Sequence, residues 1–129
     1  MEAAITIRVF DPVFSICKVK DFESVDLYSP FVFIGRTDEE NSLVCPLDMV
    51  PYNTIEREDG WRMFRMEGDL ALSMVGILSR ISGILADADI NIFAVSTYNT
   101  DYILVPEIML QDALDVLAEN GYIIEVDES

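Results

Sequence analysis

Histidine is absent from the 129-residue chain, and cysteine occurs only twice, at Cys17 and Cys45. Without an imidazole, no triad or dyad of the serine- or cysteine-hydrolase kind can be assembled. The two thiols have no CxxC spacing, so structural zinc of the usual Cys/His type is also excluded, and they are too few for the disulfide framework of a small secreted domain. Positive charge is scarce: Lys+Arg number 8 against 24 Asp+Glu, a formal charge of −16. Arg80 is the last basic residue, although ten acids follow it. Nucleic acid and anionic membrane surfaces need clustered Lys and Arg, so neither is an expected partner. Uncharged runs such as Ile90–Thr100 are too short to span a bilayer. Met1–Arg8 lacks the basic start and apolar stretch of a secretory leader. The expectation is a reduced, soluble, cytoplasmic protein.

What the chain does have is apolar residues, 51% of the total, enough to bury a core. It also has an internal repeat. Shifted by 60 positions, Phe33–Thr37 lies over Phe93–Thr97, Leu43–Pro46 over Ile103–Pro106, and Met49 over Met109. Each copy reads as strand, polar turn, strand, then proline opening a helical segment. Two half-domains follow, 1–60 and 61–129.

The second half is the clearer. Trp61–Met66 alternates as a strand. Residues 73–88 turn helical, with Met74, Ile77, Leu78, Ile81, Ile84, Leu85 and Ala88 in one stripe. Strands at Ile90–Thr97 and Tyr102–Val105 flank the turn Tyr98–Asp101. Pro106 opens a second helix with Leu110, Ala113, Leu114, Leu117 and Ala118 inward and Asp112, Asp115 and Glu119 outward. Asn120-Gly121 caps it, and Tyr122–Val126 is a last strand. The order βαββαβ is the ferredoxin-like pattern, an α+β fold. In the first half, Ile5–Val9 and Phe14–Val19 read as two strands and Phe31–Arg36 with Ser42–Cys45 as a hairpin, but no helical stripe occupies Cys17–Glu23. One helix is missing there.

Leu72–Leu78, with Gly76 where strand gives way to helix, followed by Leu85–Ile92, resembles an ACT domain. The hairpin Ser96–Val105 is similar to that of tandem ACT-like bacterial proteins and of the cytosolic arginine sensors, the CASTOR family; Thr37–Cys45 resembles the matching hairpin of their first unit. The resemblance implies two ferredoxin-like ACT units in tandem, the first degenerate and lacking its first helix. It further implies a small-molecule sensor that binds a free amino acid at an interface between ACT units, with no reaction and no cofactor.

Gly76, Ile77 and Leu78 are candidates to hold a ligand carboxylate at a helix N-terminus; the plainer role for Gly76 is chain geometry alone. Asp101, among Tyr98, Tyr102 and Ile103, offers an anion for an ammonium or a basic side chain, and the resemblance adds Thr97 and Tyr98 to it. Its plainer role is a turn aspartate bonding its own backbone. Asn91 and Ile92 match ligand-facing positions of related ACT units; an asparagine at a sheet edge is the alternative. Gly83 suggests close packing of its helix, against a strand or a second copy's helix. No metal site is expected. A homodimer binding an amino acid, with a basic one such as arginine favoured by Asp101, is one function. A ligand-free interaction module contacting a protein partner through Tyr98–Asp101 is the other, and a small enzyme is the least supported.

Overall fold

The computed structural model describes residues 5–68 and 74–127. Leu72 and Ser73, part of the glycine-containing segment singled out above, lie outside them. The elements are β1 (Ile5–Val19), β2 (Phe33–Arg36), β3 (Asn41–Pro46), β4 (Thr54–Gly68), α1 (Met74–Asp87), β5 (Phe93–Ser96), β6 (Asp101–Pro106), α2 (Leu110–Glu119) and β7 (Ile123–Val126). Single 3-10 turns follow β3 and β6 at Leu47–Met49 and Glu107–Met109, each entered from a proline.

Two compact units form: Pro12–Trp61, and Met1–Asp11 together with Arg62–Ser129. The sequence reading put Ile5–Val9 in the first half-domain. Hydrogen bonding sorts them otherwise, because Thr6–Val9 pair in parallel with Ile123–Val126 of β7. In this second unit the strand order is β7-β1-β4-β6-β5, so the front of β1 lies between the two strands that bracket the βαββαβ segment.

Ile5–Val9 and Phe14–Val19, expected as separate strands, are one strand of 15 residues. Asp11-Pro12 reads as a break, yet proline's fixed φ is compatible with extended backbone. Likewise the strand expected over Trp61–Met66 is longer, since β4 begins at Thr54 and takes in the charged run Glu56–Asp59.

The core of the second unit is built from sheet residues of one parity and the inner faces of both helices. Ile7, Val9, Phe64, Met66, Ile103 and Val105 pack with Ile77, Ile81, Leu85, Ala113, Leu114 and Leu117. Val116 also packs there, whereas Ala118 and Ala88, expected in the stripes, are exposed. Gly83 has open space: among the described residues, nothing beyond its chain neighbours and its own helix backbone lies within 4 Å of where a Cβ would stand, so packing against another element of the chain is not its reason.

Both helices end in the same way. After α1, Asp89 and Ile90 donate their N–H groups to Ala86 and Leu85, with Asp89 at φ 59°. After α2, Gly121 and Tyr122 donate to Ala118 and Leu117, with Gly121 at φ 93°. These are Schellman closures, which need one left-handed residue.

The unit Pro12–Trp61 contains no α-helix. Its strand order is β2-β3-β1-β4, and its small core gathers Cys17, Val19, Leu43 and Cys45.

Candidate functional site

The β5–β6 hairpin carries the predicted hairpin residues. Ser96 and Asp101 form its closing pair. Between them, the Thr97 N–H donates to the Thr100 carbonyl at 2.8 Å and the Thr97 hydroxyl to the same oxygen at 3.0 Å. The loop tip is thereby fixed and Tyr98 stands fully in solvent. Asp101 is only 8% exposed. Its partner is not its own backbone but the Ser96 hydroxyl, which donates to Oδ1. A carboxylate held this way keeps its orientation and loses little entropy when a cationic group approaches.

Gly76 is the third residue of α1 and is exposed, with nothing near its missing Cβ. Of the three proposed donors, Gly76 lies in the first turn of α1, and Ile77 and Leu78 follow one and two places further into the helix. Their side chains pack into the core. Ile92 packs against the same core and Asn91 is exposed, both ahead of β5 rather than inside a strand starting at Ile90. Ser96, Thr97, Tyr98 and Asp101 are thus brought together by the hairpin, while Ile77 and Leu78 serve the core.

Sequence reasoning missed a charged network on the opposite sheet face. Arg8 donates to Glu67, Asp127 and Glu125, each at 2.9 Å, and Arg65 reaches Glu67 at 2.6 Å and the Tyr102 hydroxyl at 3.2 Å. The Arg65 guanidinium also lies 4.8 Å from the Phe10 ring centre. Burial works against ionisation of Glu67, but the hydrogen bonds from Arg8 and Arg65 outweigh it and hold the carboxyl below its ordinary value. The only sequence signal was the alternation of charged with apolar positions in β1 and β4.

In the other unit, Cys17 and Cys45 are free and buried. The hydrogen bond from Cys45 and, more weakly, the neighbouring Ser15 side chain hold the Cys17 thiol down to about 6 against the effect of burial, while Cys45 is pushed up by the same contact and by burial. The Ser15 hydroxyl lies 3.3 Å from Cys17 and donates to Asp59 at 2.7 Å; Asp59 is paired with Arg57. Among the described residues no group of three or more Cys, Asp or Glu is placed to hold a metal ion, and no helix is long and apolar enough to cross a membrane.

Residues 56–119 match the ACT domain family. The cytosolic arginine sensor for mTORC1 subunit 1 of Homo sapiens is 43% identical over 81 residues, 62% of this chain, and the bovine protein matches equally. This chain spans 24% of the length of those relatives. A crystal structure of protein Atu0741 from Agrobacterium tumefaciens is 29% identical and superposes with a TM-score of 0.85, covering 98% of this chain and 96% of that one. An aspartate kinase from Clostridium acetobutylicum, at 12% identity and TM-score 0.67 over 91% of this chain and 34% of its own, shares the fold. The fold is therefore the α+β, ferredoxin-like ACT fold. The chain is an ACT domain protein related to the cytosolic arginine sensors.

Proposed function

We propose that this chain is a non-catalytic regulatory protein that binds a free amino acid between its ACT unit and that of a second copy. The observation that carries the reading is Asp101, a buried carboxylate pre-oriented by Ser96 at the closing pair of a fixed hairpin. A buried anion of this kind suits an ammonium or a basic side chain, and arginine is the ligand its sensor relatives are named for. Gly76 at the start of α1 supports a carboxylate position, with Asn91, Ile92, Thr97 and Tyr98 around the ligand. In the same reading the chain is a tandem of ACT units, the N-terminal one degenerate, acting as a cytoplasmic homodimer.

The test is thermal unfolding against the twenty common amino acids at millimolar concentration. A ligand at about 100 times its Kd adds roughly 2.7 kcal/mol, several degrees for a chain of this size. A shift with arginine or another basic amino acid, absent in Asp101→Ala, is the expected outcome. If no amino acid moves the transition, the ligand reading fails. The fully exposed Tyr98 then favours the second reading, an interaction module that docks a protein partner through the Tyr98–Asp101 turn, since tyrosine is a frequent hot-spot residue.

A further inference from the structure

A pocket of about 420 Å3 lies within the Pro12–Trp61 unit, lined by Lys20, Asp21, Phe22, Glu23, Arg36 and Asn41. Its walls are pinned. The Asn41 amide donates to the Lys20 carbonyl at 3.0 Å, and the Lys20 N–H donates to the Asn53 carbonyl at 3.2 Å. The Asn53 amide donates to both the carbonyl and the carboxylate of Asp21, and the Glu23 N–H donates to that carboxylate as well. Asp21 is thus occupied by neutral donors.

The two cations are not accounted for in the same way. Arg8, Arg57 and Arg65 pair with carboxylates, but among the described residues no ion pair involves Lys20 or Arg36, nor Lys18, Arg62 or Arg80. Lys20 and Arg36 share the pocket lining with Asp21 and Glu23, yet neither forms an ion pair with them. Their placement also has a counterpart. Arg36 and Asn41 close the β2–β3 hairpin as Ser96 and Asp101 close β5–β6, and Thr37 binds the Glu40 carbonyl as Thr97 binds that of Thr100. Where one hairpin presents a carboxylate, the other presents a guanidinium. Position by position, Asn41 stands where Asp101 does and Arg36 where Ser96 does.

We propose that this pocket binds a small organic monocarboxylate. The Arg36 guanidinium offers a fork matched to a carboxylate, and the Lys20 ammonium adds a second donor. Phe22, half-buried against the unit's core, gives the ligand's apolar stem a surface. Glu23, exposed in the lining, repels a second negative group, so a dicarboxylate of similar size binds more weakly. The proposal concerns residues separate from the Asp101 hairpin and does not depend on its ligand.

The test is amide chemical-shift mapping of the full chain with 4-methylpentanoate, with glutarate and with isopentylamine. The carboxylate is expected to move the amides of residues 20–23, 36 and 41, and glutarate to move them less. The amine, which keeps the stem and lacks the carboxylate, should leave them in place. Lys20→Ala and Arg36→Ala should each weaken binding about tenfold, whereas Asp101→Ala should not alter it. Unmoved amides elsewhere report an intact fold; should Arg36→Ala fail to fold, Lys20→Ala carries the comparison. No shift with 4-methylpentanoate, equal shifts with the amine, or unchanged affinity in Lys20→Ala would overturn the proposal.

Discussion

Asp101 and Ser96 show how much a single hydroxyl governs. Removing the hydroxyl leaves a buried carboxylate short of a donor, so Ser96→Ala should cost about 1–2 kcal/mol in urea unfolding. An unchanged midpoint would mean that water serves Asp101 equally well. Glu67 gives a pH signature. Its carboxyl lies below the ordinary value of 4.5 in the folded chain, so the unfolded chain binds the proton more readily. The stability it adds is complete above that ordinary value and is lost as pH falls through the lower, folded one. Glu67→Gln should therefore flatten the acid limb of the stability profile. At Cys17, the hydrogen bond from Cys45 is the main cause of the low value, about 6. Cys45→Ala should move the thiolate absorbance near 240 nm to higher pH, and an unmoved titration would assign the effect elsewhere. None of these pairings was legible in the sequence. Ser96 and Asp101 are five apart across a turn, and Arg8 and Glu67 are 59 apart; side-chain bonds of this kind depend on register, which composition does not carry.

Helices were the most legible elements, because a stripe at helical spacing has few other uses. Ile77, Ile81 and Leu85 are buried together, as are Ala113, Leu114 and Leu117. Leu117→Ala should cost about 2–5 kcal/mol, in the range for an unrelaxed core truncation. Gly121 was readable as a cap from its place after Asn120, and a Cβ at φ 93° is strained. Gly121→Ala should destabilise by about 1 kcal/mol. Asp89 fills the same role for α1 with a side chain present, and nothing in its sequence surroundings marked it. Strand limits were harder to read. The hydrophobic alternation stops at Asp11-Pro12 and again across Glu56–Gly60, but β1 and β4 continue through both. Backbone pairing holds them extended where side-chain pattern gives no signal.

At the scale of the molecule, the likeness of the two hairpins 60 positions apart was legible because hairpins of the same construction need similar residues at matching places. Thr37 with Glu40 and Thr97 with Thr100 make the same loop bond. What the repeat could not reveal is that the front of β1 joins the later unit, since strand partnership across the chain leaves no local mark. The pairing of Arg8 with Glu125 joins positions 117 residues apart. That separation sets a schedule during synthesis. The segment Pro12–Trp61 is continuous and can collapse while the ribosome is still working, but the sheet that carries Asp101 must keep a vacancy beside β1 until Val126 has left the exit tunnel. A stalled or prematurely released chain would thus offer a bare strand edge, and quality-control proteases should find it there first.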